Sequence, residues 1–198
     1  MYRVNEIFCS LQGEGFWTGT PIVFIRMSGC NLVCPFCDTD HRNYLEMSAD
    51  DIIRCVREEG PGIDRVCLTG GEPSLQADSS LVEALHAAGY RIHIETNGTR
   101  PLPEGIDWVT LSPKADVPGL KGDGTVVLRE ADEVKVVYLG GLSPESPEDP
   151  LQKWAAFPAR WHFLQPCSCS NSEETVAYIL THPVWRLSLQ THKYLNIR

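Results

Sequence analysis

The sequence predicts an α/β protein in which mostly parallel strands form a partial, helix-poor barrel. Runs of β-branched and aromatic residues indicate strands, and polar or glycine-containing segments follow most of them directly. Few connections have room for a helix, and the one between 95 and 108 contains a turn and two prolines instead. The length favours a single domain over residues 1–198. The predicted strands are 4–10, 21–27, 65–68, 91–95, 108–111, 133–139, 160–164 and 185–189.

Three segments carry the signatures of helices. Ser48 followed by Asp51 is a capping-box pattern, and the apolar residues after it predict a helix there. Further helices are predicted at about 76–88, ended by a glycine, and at 173–180. The stretch 143–150 is rich in proline, glutamate and serine, so we expect an exposed linker.

Composition narrows the classes of function. A net charge of −9 argues against a broad nucleic-acid-binding surface. No apolar run approaches the ~18 residues of a membrane span, and residues 1–6 lack the apolar segment of a signal peptide. Eight cysteines with no sign of secretion indicate reduced thiols. We therefore expect a cytoplasmic protein with neither nucleic-acid nor membrane partners.

Three cysteines, Cys30, Cys34 and Cys37, have the spacing C-x3-C-x2-C, and no fourth cysteine follows nearby. Three thiolates suit a 4Fe–4S cluster with one iron left for another ligand, because fully ligated clusters and structural zinc sites use four. The spacing resembles the signature of the radical S-adenosylmethionine superfamily, in which the open iron binds S-adenosylmethionine. On spacing alone two alternatives stay open: a zinc site completed by His41, and a thioredoxin-like dithiol of Cys34 and Cys37.

A second signal is the segment 69–73, Thr-Gly-Gly-Glu-Pro, which follows a predicted strand. Successive glycines let the backbone approach a ligand closely, although such a pair is often only a turn. The segment resembles the loop with which radical S-adenosylmethionine enzymes hold the methionine amino group. Glu95 and Asn97, at the end of the next strand, would then meet ribose hydroxyls, or they form an ordinary Asn-Gly turn.

Six segments together resemble the 7-carboxy-7-deazaguanine synthase family, with the weakest match at about 115–160. That resemblance implies conversion of 6-carboxy-5,6,7,8-tetrahydropterin to 7-carboxy-7-deazaguanine with loss of ammonia, in queuosine and deazapurine biosynthesis. It also implies a 4Fe–4S cluster, S-adenosylmethionine and Mg²⁺, on a reduced radical S-adenosylmethionine barrel that forms a homodimer. The segments are LQGEG at 11–15, CDT at 37–39, TGGEP at 69–73, ETNG at 95–98, SPK at 112–114 and QTHKYLNI at 190–197.

The resemblance assigns site residues and leaves the hard chemistry to the cofactor, so it requires no catalytic side chain. Cys30, Cys34 and Cys37 would hold the cluster, and Thr39 would offer its hydroxyl to Mg²⁺. The S-adenosylmethionine site would comprise Phe36, Asp38, Gly71, Ser112, Pro113, Lys114 and Gln165. The substrate site would comprise Leu11, Gln12, Gly13, Glu14, Arg26, Thr69, His192 and Arg198.

The residue types agree with a pterin substrate. Its amino-pyrimidinone edge presents N–H donors, which suit Glu14, and its carboxylate suits Arg26 and His192. The resemblance places the terminal carboxylate of Arg198 against the same pyrimidine edge, so we expect its side chain to tolerate substitution.

One feature departs from the family pattern, a C-x-C pair formed by Cys167 and Cys169. Reduced loop thiols and a second metal site are the two interpretations. For the whole chain, the alternatives are an activase that makes a glycyl radical on a partner protein and an iron–sulfur electron carrier. As an enzyme of this kind the protein would need a flavodoxin-like or ferredoxin-like electron donor.

Overall fold

The computed structural model describes residues 1–40, 42–141 and 149–198, and within them one curved sheet dominates. Its order is β3-β1-β2-β4-β5-β6-β7-β8-β9, with the β1–β2 and β1–β3 pairs antiparallel and every pair from β2 to β9 parallel. The partial parallel barrel predicted from the sequence is therefore confirmed. The strands are β1 (Tyr2–Leu11), β2 (Pro21–Met27), β3 (Leu45–Met47), β4 (Arg65–Gly70), β5 (Arg91–Thr96), β6 (Trp108–Leu111), β7 (Ala131–Tyr138), β8 (Ala159–Pro166) and β9 (Arg186–Leu187).

Five α-helices accompany the sheet in the described part of the chain. They are α1 (Ala49–Glu59), α2 (Ser79–Ala87), α3 (Leu151–Ala155), α4 (Ser172–Thr181) and α5 (Thr191–Leu195), with 3₁₀ turns at Pro73–Leu75 and Cys167–Cys169. The capping box of α1 is present, with the Ser48 hydroxyl accepting from the Asp51 N–H. No helix connects β5 to β6 or β6 to β7, so the expected scarcity of helices is also confirmed.

Several elements differ from the sequence prediction in their bounds or were not predicted. Helix α2 begins at Ser79 because the Asp78 side chain caps it by accepting from the Leu81 N–H. Helices α3 and α5 are too short for their periodicity to stand out. Most of the predicted linker, 142–148, lies outside the described residues, as does His41. Asp149 in its last part is buried rather than exposed and accepts a hydrogen bond from the Tyr178 hydroxyl.

Apolar side chains bury the helices against one face of the sheet. One core cluster unites β1, β2, β4 and β5 with α1 and α2, and a second unites β7 and β8 with α3 and α4. The opposite, concave face encloses a cavity. Among the residues that the structure describes, no helix is long and apolar enough to cross a membrane.

The loop 12–20, which we call the plug loop, closes the end of the barrel where the parallel strands begin. Phe16 stacks on Trp108 and Trp161, with ring centroids 5.0 and 5.2 Å apart. Trp17 packs against His93 at 5.1 Å. Because β1 runs antiparallel to β2, the plug loop reaches the interior from this amino-terminal end, and the cavity opens at the other, carboxyl end.

Candidate active site

A single cavity of about 750 Å³ collects almost every residue that the sequence assigned to a site. Strand ends and loops along the sheet from β1 to β8 line it, as expected where parallel strands end. Pro113 is the exception, because it is buried behind the lining and does not face the cavity. The predicted residues that do line it are Leu11, Gln12, Gly13, Glu14, Arg26, Cys30, Cys34, Phe36, Cys37, Asp38, Thr39, Thr69, Gly71, Ser112, Lys114, Gln165, His192 and Arg198.

The cysteine loop between β2 and β3 sits at the cavity mouth. All three thiols are free, with Cys30 and Cys34 half-buried and Cys37 exposed. Neighbouring segments hold the loop in place: Val33 and Lys121 exchange backbone hydrogen bonds of 2.9 and 3.1 Å. The thiols are thus presented to the cavity from an anchored loop.

The surroundings of the thiols suit a cluster better than a single ion. Burial raises the pKa of Cys30 and of Cys34, and at Cys34 the Lys114 ammonium opposes that effect. Within the described ranges, no three His, Cys, Asp or Glu side chains converge as the ligands of one metal ion. Convergence is not needed for a cubane, because each cysteine binds a different iron.

The glycine pair of the TGGEP segment lies directly against the cysteine loop. The N–H of Gly71 donates to the Met27 carbonyl at 3.1 Å, and the N–H of Glu72 donates to the Gly29 carbonyl at 2.9 Å. A Cβ on Gly71 would lie 2.0 Å from the Gly29 oxygen. Only glycine can therefore occupy this position while the two loops stay in register.

Glu72 ties two strand ends together, a role that the sequence analysis did not foresee. Its buried carboxylate accepts from the Thr96 hydroxyl and from the Asn97 N–H, both at 2.7 Å. The Asn97 side chain in turn donates to Asn31 at 3.1 Å. Asn97 thereby holds the cysteine loop, and both Asn97 and Glu95 line the cavity.

The side chains assigned to S-adenosylmethionine lie on the mouth half of the cavity. The Lys114 ammonium donates to the carbonyl and the hydroxyl of Ser112 at 2.6 and 2.7 Å, and burial lowers its pKa. The Gln165 side chain accepts from the Ser188 hydroxyl at 2.8 Å. Asp38 pairs with Lys193 at 2.8 Å.

The floor of the cavity contains a buried ion cluster that the sequence analysis missed in part. Lys135, on β7, contacts the carboxylate of Glu14 in the plug loop, and its ammonium lies 3.4 Å from Glu95. Gln190 donates to Glu14 at 3.0 Å, and Gln12 donates to Glu95 at 3.1 Å. The floor therefore presents two carboxylates, oriented by an ammonium and two amides.

Arginines and a glutamate form a second charged group on the cavity wall. Arg26 pairs with Glu6 at 2.8 Å, and the Arg198 guanidinium contacts the same carboxylate and lies 4.7 Å from the Phe8 ring. The Ser10 hydroxyl donates to the Arg198 main-chain oxygen at 2.5 Å. The Arg198 side chain thus has partners, which our expectation of a tolerant side chain did not include.

His192, on α5, packs beneath the plug loop. A Cβ on Gly13 would lie 2.2 Å from the His192 ring, and the Thr191 N–H donates to the Gly13 carbonyl at 2.9 Å. The first glycine of LQGEG is therefore required by the contact with the QTHKYLNI segment. Two motifs far apart in sequence form one wall.

The C-x-C pair lies at the cavity rim in a strained turn. Cys167 and Ser168 line the cavity, and the thiols of Cys167 and Cys169 are both free. Ser168 and Cys169 both have φ in the left-handed region, at 47° and 63°.

Similarity to known proteins identifies the family of this chain. Residues 24–118 match the model of the radical SAM superfamily. A 7-carboxy-7-deazaguanine synthase from Bacteroides thetaiotaomicron is 52% identical over the full length of both chains. One from Caulobacter vibrioides is 41% identical over 99% of each chain. The chain belongs to the 7-carboxy-7-deazaguanine synthase family.

Solved structures agree with this membership of the 7-carboxy-7-deazaguanine synthase family. QueE from Escherichia coli superposes with a TM-score of 0.78 at 29% identity, covering 96% of this chain and 94% of that one. Streptococcus suis SuiB bound to S-adenosylmethionine superposes with a TM-score of 0.56 at 16% identity, over 81% of this chain and 48% of that one. The second likeness concerns the fold alone.

Proposed function

We propose that this protein is a 7-carboxy-7-deazaguanine synthase, which converts 6-carboxy-5,6,7,8-tetrahydropterin to 7-carboxy-7-deazaguanine with loss of ammonia. Its product would enter queuosine and related deazapurine biosynthesis. The observation that carries the proposal is full-length identity of 52% to a synthase of that name. Support comes from the cavity, which brings together residues from all six motif segments.

The mouth half of the cavity fits a 4Fe–4S cluster and S-adenosylmethionine. Three free thiols at cluster spacing line it, and the glycine pair of the TGGEP segment lines it beside them. When bound, the cluster supplies the electron that cleaves S-adenosylmethionine to the radical that begins the reaction. The chain itself holds Cys30, Cys34 and Cys37 on one anchored loop. Its plug loop excludes water at the opposite end of the barrel.

The floor half fits the pterin. Glu14 and Glu95 present carboxylates, which accept from the N–H groups of an amino-pyrimidinone. Arg26 and His192 line the wall, and these side chains suit the substrate carboxylate. The terminal carboxylate of Arg198 would accept from the same pyrimidine edge as Glu14. The plug loop seals this end with Phe16 against two tryptophans, so that the reacting ring is kept from solvent.

Mg²⁺ belongs to the same proposal, with Thr39 as its protein ligand. The Thr39 hydroxyl is a hard oxygen donor on the cavity wall, next to Asp38 and beside the cysteine loop. Mg²⁺ usually keeps several waters and takes few protein ligands. A single hydroxyl is therefore a sufficient contribution from the chain, with the remaining positions open to water and substrate.

We also propose an oligomeric state, a cellular compartment and an electron donor for the protein. The protein would act as a homodimer in the cytoplasm and receive its electrons from a flavodoxin-like or ferredoxin-like donor. The free thiols at the cavity agree with a reducing compartment.

Anaerobic turnover tests the proposed function. The reconstituted protein should convert the carboxytetrahydropterin to 7-carboxy-7-deazaguanine and ammonia when given S-adenosylmethionine, Mg²⁺ and a reductant. Mass spectrometry of the product is the measurement, and Cys34→Ala is the matched inactive control. Cleavage of S-adenosylmethionine with no change in the pterin would contradict the proposal and favour a different radical substrate.

A further inference from the structure

Lys135 is a charged residue in the interior of a strand, and the proposed reaction has not yet given it a role. Its side chain is 4% exposed, and it lies in β7 between buried apolar residues. Burying an ammonium costs several kcal/mol unless it is paired and hydrogen-bonded. Its partners therefore explain why it is there.

The strongest of these partners is Glu14. The Lys135 ammonium contacts one oxygen of the Glu14 carboxylate, and the Gln190 amide donates to the other at 3.0 Å. Glu14 still lines the cavity, so the two donors fix the carboxylate from behind. Glu95 is a weaker partner, 3.4 Å from the ammonium.

We propose that Lys135 is a positioning residue that keeps Glu14 ionised and oriented toward the N–H groups of the substrate. This inference rests on the proposed function for the identity of the substrate. It adds a residue outside the motif segments. Lys135 itself also lines the cavity, so the double variant described below tests whether it acts through Glu14.

The electrostatics of the floor agree with this role. Burial alone would raise the pKa of Glu14, but Lys135, with Gln190 and His192, holds it at about 2. Burial would lower the pKa of Lys135, and the facing carboxylates of Glu14, Glu95 and Glu133 raise it instead. Lys114 is the other buried cation whose charge is felt here. Without Lys135, burial and the neighbouring carboxylates would favour protonated Glu14.

If Lys135 has this role, removing it should make substrate affinity depend on pH in a way that the wild type does not show. A protonated Glu14 loses acceptor capacity for substrate N–H groups. In Lys135→Met, substrate affinity should therefore fall as pH is lowered through the new pKa and recover as pH rises. In the wild type Glu14 stays ionised across the same pH range, so its titration does not change substrate affinity there.

The kinetic test compares KM for the pterin from pH 6 to pH 9 in four proteins. Relative to wild type, Lys135→Met should raise KM about tenfold or more at the acid end, with the ratio shrinking toward the alkaline end. Lys135→Arg, which keeps the charge, should give a ratio independent of pH. Lys153→Met, the same change at a surface lysine paired with Asp116, should match the wild type.

A double variant tests whether Lys135 acts through Glu14. If it does, Lys135→Met combined with Glu14→Gln should bind substrate no more weakly than Glu14→Gln alone. This pair also removes both charges together, so it decides the matter if Lys135→Met alone does not fold. The inference would be overturned if the losses of substrate affinity in the two single variants multiplied in the double variant. It would also be overturned if the KM ratio of Lys135→Met to wild type did not change with pH.

An infrared measurement separates this inference from the proposed function. Burial also raises the pKa of Glu133, so the Glu14 band is isolated by difference. At mildly acidic pH, the spectrum of Lys135→Met minus that of the double variant should show the stretching band of a protonated carboxyl, and wild type minus Glu14→Gln should not. This readout needs no substrate. Absence of pterin turnover in wild type would contradict the proposed function, whereas absence of the band would contradict the role of Lys135.

Discussion

Cys30, Cys34 and Cys37 differ from Cys55 and Cys67 in what surrounds them. They line the cavity from one loop, whereas Cys67 is fully buried inside β4 and Cys55 lies on α1. Alanine at any of the three should abolish the iron–sulfur absorbance and the bound iron of anaerobically purified protein. Cys55→Ala and Cys67→Ala should retain both. Stoichiometric zinc without iron in the wild type would contradict this assignment.

Thr39 provides a test of the magnesium proposal at a single atom. Thr39→Val keeps the branched shape and removes the hydroxyl oxygen that a hard cation requires. We expect lower product formation and a weakened response to added Mg²⁺, with the cluster absorbance unchanged. Activity titrated against Mg²⁺ is the measurement. A variant with the magnesium dependence of the wild type would show that Thr39 is not a ligand.

Residues within motifs were predictable from the sequence, whereas those that act across strands were not. The cysteine spacing and the TGGEP motif predicted that Cys30, Cys34, Cys37 and Gly71 belong to one site, and all four line the cavity. Lys135 and Glu72 were missed because their roles arise from partners on other strands. A signal was available for Lys135, because a charged residue inside a β-branched run needs a partner if it is buried.

Among the elements, the two loops at the cavity mouth behave as one unit. The backbone hydrogen bonds from Gly71 and Glu72 join the TGGEP segment to the end of β2 and the residue before Cys30. Neither loop can shift without the other. The S-adenosylmethionine site therefore depends on a contact between backbones as much as on side chains.

Gly71→Ala should separate these loops. The added Cβ would lie 2.0 Å from a backbone oxygen, and backbone cannot move aside as the end of a flexible side chain can. We expect a loss of about 1–3 kcal/mol in stability and a clear loss of S-adenosylmethionine affinity. Chemical unfolding and equilibrium binding are the measurements.

Gly62→Ala is the matched control for that substitution. Gly62, unlike Gly71, has a positive φ, of +84°, and nothing lies within 4 Å of its Cβ position. It should lose some stability through backbone strain and keep full S-adenosylmethionine affinity. Equal losses of affinity in the two variants would show that lost stability, and not the loop contact, is responsible.

Most elements could be predicted because hydrophobic pattern and capping act locally. The strands at 21–27 and 108–111 are found at those bounds. Strand β3 and helix α5 were missed because tertiary contacts fix them: β3 by pairing with β1, and α5 by the Thr191 contact with Gly13. The plug loop reaches the barrel interior from the amino-terminal end of the parallel strands, and this depends on the antiparallel β1–β2 pair, which its own residues do not predict.

At the scale of the whole molecule, the closed end of the barrel makes stability depend on pH. His93 is buried there against Trp17, and burial, with the charge of Arg65, lowers its pKa from 6.5 to about 4. The unfolded chain then binds a proton more readily than the folded one. Stability from this group is complete above about pH 6.5 and is lost as pH falls toward 4.

His93→Phe should remove that dependence while keeping an aromatic ring in place. At pH 5 the proton uptake by unfolded His93 should cost the wild type about 2 kcal/mol, relative to pH 8. Between pH 8 and pH 5, the free energy of unfolding of His93→Phe should therefore fall by about 2 kcal/mol less than that of the wild type. Urea unfolding at both pH values is the measurement, and equal losses in the two proteins would contradict the assignment.

The central claim is that one cavity binds two ligands at opposite ends, S-adenosylmethionine at the mouth and the pterin on the floor. Equilibrium binding of each ligand, with the other saturating, to anaerobic wild type, Gly71→Ala and Glu14→Gln tests it most directly. We predict a crossed pattern: Gly71→Ala weakens S-adenosylmethionine and spares the pterin, and Glu14→Gln weakens the pterin about tenfold and spares S-adenosylmethionine. Two variants that weaken both ligands equally would contradict the claim.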